Sequence, residues 1–224
     1  MILRPVARPL VVPASRQFSR PPAAIGGGVP LVFGWNPEAD GGPVLYDTGG
    51  RRAYTETLSS RIGVRALQGR SSGKWYFEMT MTSVAGQPNS VLGLAKGTWN
   101  TANVLGSENT GFGVSTHGHA VYYNGANSGM GAMGNPVAST ASAVSQVAVD
   151  LDTGEFWFGV NGAWKYSGNP AAGTGEMNIT VPAGEWYPAM TVESQAALWG
   201  VTLHDRATDQ TYTPPSGFTP WAGG

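Results

Sequence analysis

The sequence predicts an all-β fold: a sandwich of two antiparallel sheets preceded by an extended N-terminal arm. Three observations indicate this class. The first two are the content of 33 glycines and 16 prolines among the 224 residues and a charged fraction of only 12%. Such a composition suits a turn-rich sheet protein better than a helical one. The third is a period-two alternation of apolar and polar residues, with no long segment of helical period. The chain is long enough to bury a core within one domain, although it has no cysteine to form disulfides.

Residues 1–37 are predicted to form the arm, and residues 38–224 the sandwich. Seven of the sixteen prolines lie in residues 1–37, and no acidic residue occurs before Glu38. Proline fixes φ and lacks an N–H group, so this segment favours extended, polyproline-like chain. Two interpretations remain open, a disordered tail and an arm that orders on a partner. Interleaved apolar residues favour the arm, and the residues predicted to dock are Ile2, Arg4, Arg8, Leu10, Val12, Arg16, Phe18 and Arg20.

The charge distribution gives the arm a partner class. Residues 1–70 contain nine arginines and four acids, whereas residues 71–224 contain four basic residues and ten acids. A basic leader on an acidic body indicates contact with another surface, such as an acidic protein. Nucleic acid is disfavoured because the arginines are scattered and no lysine precedes Lys74. The short apolar pieces near the N-terminus predict neither a secretion signal nor a membrane span.

The strands are read from alternation and from turn residues. Residues 74–81 place Trp75, Phe77, Met79 and Met81 on one face, which is typical of a half-buried antiparallel strand. The other strands are expected at residues 90–95, 112–116, 120–123, 144–151, 155–160, 163–166, 185–192 and 198–203. Turns are expected at 117–118 and 124–125, because glycine there follows histidine or asparagine.

The segment 150–162, Asp-Leu-Asp-Thr-Gly-Glu-Phe-Trp-Phe-Gly-Val-Asn-Gly, carries three acids, which raises the question of a catalytic or metal site. A calcium loop of the EF-hand type fails, because Gly154 occupies the third ligand position and the twelfth is not glutamate. The Asp-Leu-Asp-Gly-Thr pattern of haloacid-dehalogenase-type phosphatases has its last two residues exchanged here. A glycosidase needs an opposing carboxylate across a cleft, and Asp150 and Asp152 lie beside one turn. We therefore predict no catalytic residue.

The same segment reads better as two hairpins. Residues 152–154 suit a turn, because aspartate bonds nearby backbone and glycine adopts positive φ. Asn161-Gly162 is the strongest short hairpin signal, since a type I′ turn needs positive φ twice. Phe156, Phe158 and Val160 then share one face of the strand between the turns.

With these elements in place, the sequence resembles the SPRY domain family. Five landmarks occur in the family's order, at residues 72–78 (Ser-Gly-Lys-Trp-Tyr-Phe-Glu), 91–95 (Val-Leu-Gly-Leu-Ala), 149–162, 186–189 (Trp-Tyr-Pro-Ala) and 212–218 (Tyr-Thr-Pro-Pro-Ser-Gly-Phe). The resemblance covers residues 40–221 and leaves the arm outside. It implies a bent β-sandwich that binds partners through loops and is not an enzyme.

Binding residues are expected where aromatic and amide side chains meet loops. They are Trp99, Asn100, Tyr122, Tyr123, Asn124, Asn161 and Trp164. Large aromatic residues at such edges are plausible anchors, but they equally suit caps on the ends of the sandwich. No cofactor or metal is predicted, because His117 and His119 lack a third ligand close in sequence.

The resulting expectation is a non-enzymatic virion protein of a bacteriophage, either a decoration or a tail protein. The arm would dock on other virion proteins, and the protein would be oligomeric in the particle. The alternative is a receptor- or carbohydrate-binding module that uses loop aromatics on a host surface protein or glycan. The expected location is the virion, with the bacterial cytoplasm as the alternative.

Overall fold

A computed structural model describes residues 33–40, 44–47, 49–56, 59–81, 89–115, 121–123, 126–128, 142–175, 177, 180–194 and 199–223. The eight predicted docking residues of the arm lie outside these ranges. The docking role of the arm therefore stays a prediction.

The described residues form two antiparallel sheets, with strands numbered along the chain. The first sheet has the order β1 (Trp35–Asp40), β4 (Ser59–Ala66), β13 (Trp186–Ser194), β6 (Asn89–Lys96), β7 (Gly111–Ser115), β8 (Val121–Tyr123) and β9 (Ala126–Ser128). The second has the order β12 (Ala163–Trp164), β11 (Glu155–Val160), β10 (Val144–Asp150), β5 (Lys74–Met81), β14 (Gly200–His204), β3 (Arg52–Tyr54) and β2 (Leu45–Tyr46). A short β15 (Thr219–Pro220) pairs in parallel with the start of β5. Two single 3₁₀ turns occupy Lys165–Ser167 and Pro170–Ala172. The all-β prediction is confirmed.

The main core lies between the two sheets. Phe112 of β7 meets Phe156 of β11 edge to face, with ring centroids 4.9 Å apart, which joins one sheet to the other. The predicted inward residues of β5 are in this core, and Phe77 is fully buried. The period-two pattern therefore placed the inner face of β5 correctly. Trp35 of β1 is also fully buried in the core, so the folded domain begins before residue 38.

Part of the outer face of the second sheet is buried as well, which the alternation did not predict. Tyr76 and Glu78 of β5 are 0% exposed, and Trp157 of β11 is 1% exposed. Residues 205–221, here called the C-terminal strap, bond and pack against this face; Phe218 meets Trp157 at 5.8 Å. A period-two pattern reports which residues share a face, but it cannot report that a distant segment covers that face.

The turns around β11 follow the prediction, with one correction. Asn161 and Gly162 have φ of 49° and 82°, as a type I′ turn requires. At the preceding turn, Asp150 rather than Asp152 bonds the turn backbone. Its Oδ1 accepts from the N–H groups of Asp152 (3.0 Å) and Thr153 (3.3 Å). The residue is 1% exposed, so it is a buried structural acid.

Replacing Asp150 with asparagine should make the protein less stable and change its response to acid. Burial tends to raise the pKa of Asp150, but Lys74, 2.9 Å away, and the turn N–H groups together hold it below the ordinary value. Such a carboxylate contributes stability that is present above its unfolded pKa of about 4 and is lost as the pH falls through its folded pKa. We expect a loss of about 1–3 kcal/mol at neutral pH. Urea unfolding should show this difference shrinking towards about pH 3, and a difference that grows on acidification would contradict the assignment.

Candidate functional site

The predicted loop residues do not form one site, because they are divided between the two sheets. Trp99 and Asn100 follow β6 in the first sheet, and Tyr122 and Tyr123 belong to β8 of that sheet. Asn161 and Trp164 flank the turn between β11 and β12, at an edge of the second sheet. Asn124 lies outside the described residues. Among the described residues of the predicted set, only Asn161 and Trp164 lie together in one hairpin.

The side chain of Trp99 is buried, which corrects the expectation that it is an exposed anchor at a loop edge. It is 5% exposed and shares a small cluster with Leu105 on the outer face of the first sheet. The loop that carries both residues rests on a floor of small residues. A Cβ on Gly63 of β4 would lie 2.5 Å from the Trp99 ring and 2.5 Å from the carbonyl oxygen of Thr101. For Trp99, the capping interpretation fits the structure.

The β11–β12 hairpin is tied to the sheet behind it. The side-chain oxygen of Asn161 accepts from the N–H of Val144 at 2.8 Å, and the N–H of Gly162 donates to Gln146 at 2.6 Å. Trp164 is half-buried and meets the ring of Tyr76 edge to face at 6.3 Å. The Asn161 oxygen therefore serves the turn, whereas Trp164 keeps part of its surface accessible.

The segment after this hairpin has an unusual backbone. The sequence predicted a strand to residue 166, but β12 ends at Trp164 and Tyr166 turns back with φ 54° and ψ 33°. Ser167 follows with φ 57°. Two successive non-glycine residues in the left-handed region are uncommon, and each costs about 1 kcal/mol. Tyr166 is 37% exposed, and sequence propensity gives no signal for this conformation.

The point at which the arm joins the sandwich, here called the arm root, consists of Phe33 and Gly34. The N–H of Gly34 donates to the carboxylate of Asp205 at 3.1 Å, and the guanidinium of Arg206 lies 4.3 Å above the Phe33 ring. The Gly34 carbonyl accepts from the N–H of Leu67 at 2.8 Å. Both the N–H and the carbonyl group of Gly34 are thus bonded to the body of the domain, so the arm root itself is held in place.

Asp205 was missed by sequence reasoning because it meets Gly34 across 171 positions of the chain. The residue is 2% exposed, and its other carboxylate oxygen has no hydrogen-bond partner within the part of the chain that the structure describes. Burial raises the pKa of Asp205, although Gly34 and the nearby guanidinium groups of Arg51 and Arg206 oppose the shift. Burying a carboxylate with one unpartnered oxygen lowers the stability of the fold, and this carboxylate lies at the arm root.

A second buried acid holds the C-terminal strap. Glu78 accepts from the hydroxyl of Tyr76 at 2.7 Å and from the N–H groups of Thr211 and Tyr212 at 2.7 and 2.8 Å. Burial, followed by the hydrogen bond to Glu78, raises the pKa of Tyr76. Because this carboxylate is fully buried and accepts three hydrogen bonds from the fold, its geometry serves structure.

The described residues were also compared with the requirements of a metal site and of a membrane-spanning helix. Within it, no cluster of three or more histidine, aspartate or glutamate side chains is arranged to hold a metal ion. His117 and His119 fall outside the described ranges. A search of the same residues for a helix both long and apolar enough to cross a bilayer finds none.

Comparison with known proteins places the fold. Neither the protein-family models nor the curated proteins give a match to this sequence. Among solved structures, the SPRY domain of human HERC1 matches with a TM-score of 0.62 and 15% sequence identity. The match covers 80% of this chain and 100% of that domain. At this identity the likeness concerns the fold, and the chain has a SPRY-like β-sandwich fold.

Proposed function

We propose that this chain is a non-enzymatic interaction protein of a bacteriophage particle, a decoration or tail protein attached by residues 1–32. The sandwich would then project from the particle or pack between its subunits. The SPRY-like fold supports the coarser part of this proposal, because SPRY domains generally mediate protein–protein interaction. The arm supports the finer part, because its arginines and apolar residues suit an acidic, partly apolar protein surface.

One observation carries the proposal: the basic arm leaves from a root that is fixed to an otherwise acidic domain. A flexible joint would let the sandwich swing freely about its attachment. At the arm root, by contrast, Gly34 is bonded on both sides, through Asp205 and Leu67. Docking of the arm would therefore also orient the sandwich, which suits a protein held in a repeated position on a particle surface.

Deleting residues 1–32 is expected to leave the sandwich folded and to abolish its incorporation into particles. The deletion ends at residue 32 because Phe33, Gly34 and Trp35 contact the folded domain. The measurement is the number of copies per particle after purification, by quantitative mass spectrometry. A matched variant replaces Arg4, Arg8, Arg16 and Arg20 with glutamine, which keeps the arm but removes its charge.

We expect the charge-free arm to lower occupancy most at low ionic strength, because salt screens the arginine contacts of the natural arm and does not weaken the apolar contacts that remain. Full occupancy of the deleted protein, with its unfolding transition unchanged, would overturn the attachment role. The carbohydrate-binding alternative has weaker support at its predicted residues, since Trp99 is buried and the Asn161 oxygen is occupied.

A further inference from the structure

The Asn161-Gly162 turn contains a pair of residues that is chemically reactive in an unconstrained chain. When glycine follows asparagine, the glycine nitrogen can attack Cγ of the asparagine, because glycine has no side chain to block the approach. The nitrogen gives up its proton, a C–N bond forms, and the side-chain amide leaves as ammonia. Water then opens the cyclic succinimide and gives aspartate or isoaspartate. Both residues of this turn are exposed, so water reaches the site of reaction.

Both reacting groups of the turn are held by hydrogen bonds. The N–H of Asn161 donates to the carbonyl of Val144 at 2.9 Å, and its side-chain oxygen accepts from the N–H of Val144 at 2.8 Å. This pair of bonds limits how the side-chain amide can turn. The N–H of Gly162 donates to Oε1 of Gln146 at 2.6 Å. Loss of the proton would break that bond and set an anionic nitrogen against the oxygen of Gln146, so the reactive form is disfavoured.

Gln146 connects this turn to the C-terminal strap through a chain of buried hydrogen bonds. The residue is 3% exposed, and its Nε2 donates to the hydroxyl of Tyr76 at 2.9 Å. That hydroxyl donates to Glu78 at 2.7 Å, and Glu78 in turn accepts from two N–H groups of the strap. Because Tyr76 gives its proton to Glu78, it can only accept from Gln146. The amide of Gln146 is therefore held with its oxygen towards Gly162.

The strap also lies directly against the turn. A Cβ on Gly162 would lie 2.7 Å from Cε1 of the Tyr212 ring, so this ring packs on the turn backbone. The N–H of the same tyrosine donates to Glu78 at 2.8 Å. One strap residue thus contacts Gly162 with its ring and ends the hydrogen-bond chain with its backbone. Release of the strap would uncover the turn and open the far end of the chain.

The two products of the reaction would affect the hairpin differently. Aspartate keeps an oxygen that can accept from the N–H of Val144, and it adds one negative charge. Isoaspartate carries the chain through its side-chain carbon, which lengthens the backbone and breaks the type I′ turn. Because β11 and β12 pair through this turn, with Gly159 opposite Trp164, isoaspartate would open this edge of the second sheet.

We propose that Asn161 is a latent deamidation site, protected while the C-terminal strap is in place and open to reaction once the strap is released. The modification would mark irreversibly those molecules whose strap has come away from the sheet. The proposal rests on the sandwich and not on the arm, so its failure and the failure of the attachment role are separate outcomes.

The first test uses the natural full chain and needs no substitution. The protein is kept at mildly alkaline pH, either folded or unfolded in guanidinium chloride, and conversion of Asn161 is followed by peptide mass spectrometry. We expect conversion to be about tenfold or more slower in the folded protein, because a hydrogen bond of the fold must break first. Equal rates in the folded and unfolded chains would overturn the protection of this site.

Two variants then test the hydrogen-bond chain in the folded protein. Gln146→Leu removes the acceptor of the Gly162 N–H, and Glu78→Ala removes the acceptor of the strap. Each should speed conversion of Asn161 by about tenfold. Leu92→Ala is the matched control, because it empties a core position in the first sheet and destabilises the protein without touching the chain.

The rates of these variants decide between a local and a global route. We expect Leu92→Ala to convert Asn161 much more slowly than Glu78→Ala does. The proposal is overturned if either chain variant reacts at the natural rate. It is also overturned if Leu92→Ala reacts as fast as Glu78→Ala, because unfolding of the whole domain would then expose the site.

Discussion

Replacing Trp221 with alanine is expected to destabilise the protein by about 3–5 kcal/mol, as for other buried tryptophans. Trp221 is fully buried, and its ring meets Phe77 edge to face at 5.5 Å. Its indole N–H donates to the carbonyl of Gln68 at 2.8 Å. Its own carbonyl accepts two bonds from Arg70, at 3.0 and 2.7 Å. One side chain near the end of the chain thus links the strap to the core and to the segment before β5.

The measurement is the free energy of unfolding in urea, with Trp221→Phe as the matched control. Phenylalanine keeps most of the apolar contact but leaves the Gln68 carbonyl without its donor, so we expect a loss of about 1–3 kcal/mol. If alanine costs less than about 1 kcal/mol, the strap is not part of the cooperative unit.

Replacing Glu78 with alanine is the second large effect, and it should release the strap rather than empty the core. The change removes the acceptor of three donors, namely the buried Tyr76 hydroxyl and the part-buried N–H groups of Thr211 and Tyr212. An unsatisfied buried donor costs about 1–3 kcal/mol, and the two part-buried N–H groups cost less because water can reach them, so a total of about 3 kcal/mol is expected. Limited proteolysis should show cleavage within residues 205–221 at protease concentrations that leave the natural protein intact.

The chain contains a matched control for Glu78. Glu185 also accepts from a tyrosine hydroxyl two residues away, that of Tyr187, at 2.7 Å, but it is exposed. Glu185→Ala should change stability by less than about 0.5 kcal/mol, as surface substitutions usually do. Equal losses in the free energy of unfolding for the two substitutions would contradict the view that burial makes the Glu78 hydrogen bonds stabilising.

Sequence patterns predicted the interior of the sandwich because that information is local. The alternation of residues 74–81 and the Asn161-Gly162 turn depend on neighbours along the chain, and the structure confirms both. The cover on the outer face of β5 depends on Glu78 meeting Thr211, 133 positions away. No period within β5 encodes that contact, because alternation places Glu78 only on the face opposite Phe77.

The candidate sites were harder to predict than the fold for a related reason. Trp99 and Tyr166 both lie near turns, yet Trp99 is 5% exposed and covered by its own loop, whereas Tyr166 is 37% exposed. Whether such a ring is covered or exposed depends on contacts between distant parts of the chain. Examples are the close approach of the Trp99 ring to Gly63 and the hydrogen bond that the carbonyl of Thr174 accepts. The Asp205 contact with the arm root was likewise beyond any local motif.

The central claim is that attachment lies in the arm and that the sandwich is the presented domain. It is tested most directly by fusing residues 1–32 to an unrelated folded carrier and measuring its binding to particles that lack this protein. We predict that the fusion binds, saturates, and is displaced by the full chain, while the sandwich of residues 33–224 does not bind. Binding by the isolated sandwich, with none by the fusion, would contradict the claim.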